Sequence, residues 1–266
     1  MNFYITHSRR NNFQKYQLLK DIEKNKKKIN YISRFVPPFK IDDNYTSMIP
    51  LKIYTCWHTK HLLPGMKQNF ESLISDNPEF EVFLFDNNDC ENFIKDNFNN
   101  EVLNAYKRLI PEAYKSDLWR YCVMYINGGI YLDIKFRCIN GFKLIALTEK
   151  ERWTSDHLFN DTLNGLLILK PKNDIMLKCI NKVVENVKNN FYGENCLHPT
   201  GPKMLGQYFT NEEKREMETN LLVTPKLIGI TYQNRYILKF YSEYRNEQEK
   251  QKPHYSILWA NKNIYL

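Results

Sequence analysis

An α/β fold, with a mostly parallel central sheet and helices on both faces, is predicted by three features of this sequence. Short β-rich runs alternate with helix-patterned stretches from residue 51 to about 190. Gly165–Lys170, GLLILK, is almost wholly apolar, as a central strand covered on both faces has to be. Three late runs, 221–224, 227–232 and 236–241, have strand character and suggest small antiparallel additions near the C-terminus. A chain of 266 residues can bury one full core, and a single domain over residues 49–266 is expected.

Residues 1–48 are set apart by composition. Leu18, Leu19, Ile22 and Ile29 recur at roughly helical spacing in a basic stretch, which predicts a helical extension. The run KNKKK at 24–28 reads as a solvated helix face. Pro37, Pro38 and Pro50 then make a Pro-rich linker. Leu51–Trp57 is the first strand, followed by a helix whose apolar stripe is Met66, Phe70, Leu73 and Ile74. Asn77-Pro78 ends that helix, Glu81–Asp86 supplies a second strand, and Asp89–Leu109 reads as helix with weak breaks.

Next comes SDLWRYCVMYINGGIYLDIK, residues 116–135. Its helix breaks at Asn127-Gly128-Gly129, a C-cap signal, and Ile130–Leu132 forms a short strand with Asp133 at its C-terminal end. Ligands of open α/β sheets bind at that end of the strands. Asn140-Gly141 is a turn, Pro171 closes the apolar strand, and Asp174 caps a helix reaching Lys188. Thr200-Gly201-Pro202 introduces another short helix.

The net charge of +8 and pI near 9.0 favour anionic partners, either nucleic acid or a phosphate-bearing small substrate. The basic residues are spread along the chain and no groove-reading motif accompanies them, so specific nucleic-acid binding is not expected. Six scattered cysteines without C-x-x-C spacing read as reduced thiols. With no apolar leader and no apolar run of spanning length, a cytoplasmic location is expected. His58, His61 and His157 lack zinc spacing, and there is no Walker loop or G-x-G-x-x-G.

Asp117 and Arg120 lie one helical turn apart on one face, as a surface ion pair or as the floor of a pocket. Asp133 either caps the next turn or is a desolvated carboxylate awaiting a cation. Trp57, directly after the first strand, reads by itself as a core aromatic. Asp161 and Asn164, just ahead of the apolar strand, are loop caps or reach into a site at the strand's start.

The block at 116–135 resembles the sugar-nucleotide-binding core of glycosyltransferase family 32, which contains fungal mannosyltransferases and is related to the glucosylating bacterial toxins. That family reads S-D-x-x-R, helix, G-G-x-Y-L-D-x-D in a GT-A-type, Rossmann-like domain. Ile49-Pro50-Leu51-Lys52-Ile53 with Trp57 resembles its opening motif, Thr200-Gly201-Pro202 its T-G-P, and His254 with Trp259 its closing His and Trp. The resemblance implies transfer of a sugar, with retention, from a UDP- or GDP-linked donor to a glycan, protein or lipid-linked acceptor. It implies that Asp117 and Arg120 contact the donor sugar and diphosphate, that Trp57 meets the base, and that Tyr131, Asn164 and Trp259 complete the donor site. Asp133, with His254 returning from the tail, would approach a manganese or magnesium ion, and the T-G-P turn would bring Thr200 or Lys203 near the acceptor.

The family pattern needs a second carboxylate at position 135, and this chain has Lys135. Either Lys135 swings away and the ion is held by Asp133, diphosphate and water, or its ammonium neutralises the leaving diphosphate without a metal. In a third reading the chain is a catalytically silent relative that binds a nucleotide-sugar or glycan. The catalytic set expected on the first two readings is Asp133, Lys135, Asp117 and Arg120.

Overall fold

The computed structural model describes residues 46–156, 160–224, 227–248 and 254–266. The basic helix and most of the linker expected at 1–48, and His157, lie outside the described residues. In chain order the elements are β1 (Lys52–Cys56), α1 (Pro64–Asp76), β2 (Glu81–Phe85), α2 (Asn87–Asn97), α3 (Asn100–Arg108), α4 (Glu112–Asn127), β3 (Gly129–Leu132) and β4 (Phe136–Cys138). They continue as β5 (Arg152–Asp156), β6 (Asp161–Leu169), α5 (Asp174–Lys188), α6 (Pro202–Gly206), α7 (Asn211–Glu216), β7 (Thr219–Val223), β8 (Ile228–Tyr232), β9 (Arg235–Phe240), α8 (Tyr244–Gln248) and α9 (Tyr255–Ala260).

The α/β class holds, and the strands form one sheet in the order β2-β1-β3-β6-β5-β7-β8-β9-β4. That sheet is mixed rather than mostly parallel. Among the described residues, β1–β2, β1–β3 and β5–β7 pair in parallel and the other neighbours are antiparallel. The short β5–β6 and β8–β9 connections explain part of the difference, because a few residues can close a hairpin but cannot make a parallel crossover. The apolar strand β6 is buried from end to end between β3 and β5. It begins at Asp161, ahead of its apolar run, so Asn164 lies within the strand and not in a loop before it.

Strand alternation sorts the core into two faces. Tyr54, Cys56, Tyr131, Leu167 and Leu169 share a cluster with Trp119 and Cys122 of α4 and Cys179 and Val183 of α5. Their neighbours Ile53, Ile130, Leu132, Leu166 and Ile168 meet Leu73 of α1 together with Phe142, Leu144 and Leu147 on the opposite face. Helix α4 is buried from Asp117 to Met124 without interruption, so it has no solvated stripe along its middle turns.

Gly128 and Gly129 make the α4–β3 junction with φ of 62° and 96°. A Cβ on Gly128 would lie 2.5 Å from the Pro171 nitrogen, and one on Gly129 would lie 2.6 Å from the Lys52 carbonyl oxygen, so both backbone shape and space require glycine. The cap of α5 is Asn173, whose side chain accepts from the Ile175 and Met176 amides, one residue before the Asp174 that the sequence suggests. Among the described residues no helix is long and apolar enough to cross a membrane.

Candidate active site

The site is organised by the turn that follows β3. The Asp133 amide donates to the Gly165 carbonyl of β6 at 2.9 Å, and the Phe136 amide closes the turn on the Asp133 carbonyl at 3.0 Å. Buried Asn69 of α1 donates from its amide nitrogen to the carbonyls of Ile134 (2.7 Å) and Phe136 (3.0 Å). The Tyr241 amide donates to the Lys135 carbonyl at 3.1 Å. The backbone from Asp133 to Phe136 is thus held from β6, from α1 and from the residue that follows β9.

Both oxygens of Asp133 are engaged. Lys135 Nζ lies 2.7 Å from Oδ2, while Tyr131 Oη donates to Oδ1 at 2.8 Å and Arg120 approaches the same oxygen at 3.3 Å. Asp117 is bound as completely. Asn164 Nδ2 donates to Oδ1 at 2.8 Å, Thr200 Oγ1 donates to Oδ2 at 2.7 Å, and Arg120 stands 3.3 Å from Oδ1. The guanidinium of Arg120 links the two carboxylates. It also donates to the Asn164 carbonyl (2.9 Å) and Ser116 Oγ (2.8 Å), and it lies over the Tyr131 ring at 4.4 Å.

Burial and charge act in opposite directions on these groups. Desolvation pushes the Asp133 carboxyl upward, but Lys135 and Arg120 prevail and hold it below the ordinary carboxylate value. For Asp117 desolvation wins, and its pKa is raised despite Arg120, Thr200 and Asn164. Desolvation would lower Lys135, yet Asp133 leaves it above the ordinary lysine value, so the ammonium persists at neutral pH.

These groups open onto a cavity of about 1100 Å³, lined by Trp57, Asp117, Arg120, Tyr131, Asp133, Lys135, Asn164 and His254, among others. Eight of the nine predicted site residues thus share one cavity at the C-terminal ends of β1 and β3. The ninth, Trp259, is absent from the lining, and its indole N–H donates to the Tyr192 carbonyl at 2.7 Å. Trp57 is half-buried, packs beside the cluster of Met66, Ile134, Tyr241 and Tyr244, and keeps one side on the cavity.

His254 lines the cavity as the cap of α9, its Nδ1 facing the Ser256 amide at 3.3 Å and the Ser256 hydroxyl at 2.7 Å. Its pKa falls below the ordinary histidine value through desolvation and the charge of Lys135. Thr200 is fully buried on Asp117, and Lys203 pairs with Glu194 at 3.1 Å. The T-G-P turn therefore supports Asp117 from behind and does not present Thr200 outward. Asn69 and Tyr121 belong to the site without any sequence signal. Tyr121 Oη receives Asn164 Nδ2 at 2.9 Å and donates to the Thr200 carbonyl at 2.8 Å, but in the sequence it is one more aromatic on an apolar helix.

A divalent ion finds no ready place in this donor set. Asp133 Oδ2 already holds an ammonium, and each oxygen of Asp117 accepts from a protein donor. Among the described residues no three His, Cys, Asp or Glu side chains gather where one ion could touch them. These residues do not fit a cation held by the protein.

Residues 64–154 match the family described as the glycosyltransferase sugar-binding region containing a DXD motif. The chain is a glycosyltransferase. The matched stretch holds α4 and the turn carrying Asp133, and it supplies Asp117, Arg120, Tyr131, Asp133 and Lys135 to the cavity wall. No curated protein matches the chain. Among solved structures, the PaToxG glycosyltransferase is similar at 17% identity and a TM-score of 0.47, over 60% of this chain and 68% of that one. The ligand-free glycosyltransferase domain from the YGT toxin is similar at 9% identity and a TM-score of 0.39, over 56% of this chain and 66% of that one.

Proposed function

We propose that this glycosyltransferase moves a sugar from a UDP- or GDP-linked donor, bound in the cavity at the ends of β1 and β3, to a hydroxyl of a glycan, protein or lipid-linked acceptor, with retention of anomeric configuration. One observation carries the reading: Asp117, Arg120, Asp133 and Lys135 form a continuous buried charge network that lines the same cavity as Trp57. Trp57 offers the base a stacking face, while Arg120 and Lys135 supply positive charge for the leaving diphosphate. Asp117 and Asn164 order the wall on which the sugar rests, and Tyr131 holds Asp133.

The finer assignment to glycosyltransferase family 32 rests on S-D-x-x-R, G-G-x-Y-L-D and T-G-P as they stand in this chain. Six free cysteines support a reducing, cytoplasmic setting. The test is release of nucleoside diphosphate from a panel of UDP- and GDP-sugars, with the anomeric configuration of the product read by NMR coupling constants. Donor binding without any release, across the panel and with candidate acceptors, would leave a binding protein and sink the enzymatic reading.

A further inference from the structure

We infer that the Lys135 ammonium is a built-in cation for the donor's diphosphate, so that donor binding and turnover need no divalent metal. The inference rests on the nucleotide-sugar reading of the cavity. Its basis is the occupancy of Asp133, whose Oδ2 meets Lys135 Nζ at 2.7 Å and whose Oδ1 is taken by Tyr131 and Arg120. An ion approaching this carboxylate would first have to displace an ammonium that the same carboxylate stabilises.

Charge leads to the same conclusion. Asp117, Arg120, Asp133 and Lys135 sum to zero, whereas an aspartate at position 135 would leave the group two charges more negative. Two charges are what one divalent ion would cancel. Lys135 can also reach a ligand. Its side chain is 24% exposed, it lines the cavity, and an ammonium has three N–H donors, of which Asp133 occupies one. The nearby Phe136 and Phe240 rings, 5.6 and 5.2 Å from Nζ, offer no acceptor oxygen. The remaining donors can therefore turn to diphosphate oxygens.

In the transfer, the bond from the sugar's anomeric carbon to the β-phosphate oxygen breaks, and its electron pair goes to that oxygen. The acceptor hydroxyl oxygen bonds to the anomeric carbon, and its proton passes to the departing phosphate. Lys135 stays protonated throughout and stabilises the charge that develops on the leaving group.

The test uses the full chain. Binding of UDP, GDP and their sugars is measured by calorimetry, and diphosphate release is measured in parallel, each in EDTA and in manganese. We expect donor Kd to agree within about twofold between the two conditions and release to persist in EDTA. Lys135→Ala should lose about 100-fold or more in kcat/KM, the scale of removing one donor to a developing anion. Lys135→Arg should retain chelator-resistant donor binding, which covers the case in which the alanine variant fails to fold. Lys135→Asp should gain manganese binding by electron paramagnetic resonance and make donor affinity manganese-dependent by about tenfold or more, as cancelling two added negative charges requires. Wild-type donor binding that disappears in EDTA and returns with manganese would overturn the inference and leave the glycosyltransferase reading standing. Failure of every UDP- and GDP-sugar to bind in either condition would overturn that reading, and the inference with it.

Discussion

Gly165→Ala probes how tightly the site holds Asp133. A Cβ at residue 165 would lie 2.7 Å from Asp133 Oδ2, 3.1 Å from its Cγ and 3.5 Å from the Phe136 ring. A free carboxylate would swing aside at little cost, but this one is held by Lys135, Arg120 and Tyr131. Overpacking of a constrained site costs about 1–3 kcal/mol, so urea unfolding should show a loss of that size. The displaced carboxylate also carries Lys135 with it, and misplacement by about 1 Å can cost about 100-fold in rate. We therefore expect kcat/KM for diphosphate release to fall by about that factor, while the variant keeps a cooperative unfolding transition. A folded Gly165→Ala protein with wild-type turnover would refute the assignment of donor chemistry to Asp133 and Lys135.

Asn69→Leu removes both donations to the 134–136 turn, and should cost about 1–3 kcal/mol in urea unfolding and lower kcat more than it raises KM. Thr200→Val deprives Asp117 of a buried donor, with an expected stability loss of about 1.5–3 kcal/mol, measurable by the same titration. Trp57→Ala should weaken donor binding by about 1–3 kcal/mol, roughly 5- to 150-fold in calorimetric Kd, if the indole stacks on a base. Acid should expose the Asp133 linkage. Its folded pKa is depressed, so its contribution is complete above the unfolded value of about 4 and is lost as pH falls through the lower folded value. Asp117 has the opposite sign, since its raised folded pKa favours the protonated form. The stability difference between wild type and Lys135→Ala should accordingly be largest above about pH 4 and shrink below it, as read from unfolding free energies across that range.

Much of this site is legible in the sequence. The one-turn spacing of Asp117 and Arg120 puts them on one helical face, and they form an ion pair at 3.3 Å. The diglycine break and the short apolar run after it put Asp133 at a strand end, and it lies just past β3. Asn69 and Tyr121 are illegible for a common reason. Asn69 is 65 residues from the Ile134 carbonyl, and Tyr121 is 79 from Thr200, so no local pattern records either partner. Trp259, expected from the sequence in the donor site, lies outside the cavity lining, and its indole N–H donates to the Tyr192 carbonyl.

Local physical chemistry, written in the order of residues, determined the α/β class, the diglycine break and the charge at position 135. Periodicity, glycine's tolerance of positive φ and side-chain ionisation each depend on a few neighbouring residues. The sheet's mixed order and the state of Asp133 were decided only by tertiary structure. Strand direction depends on which segments meet across the sheet, and β6, far along the chain, is what places Gly165 against Asp133. Whether a strand-end carboxylate awaits a cation or already holds one is likewise a question of three-dimensional contact, and here Lys135 and Arg120 both lie within 3.3 Å.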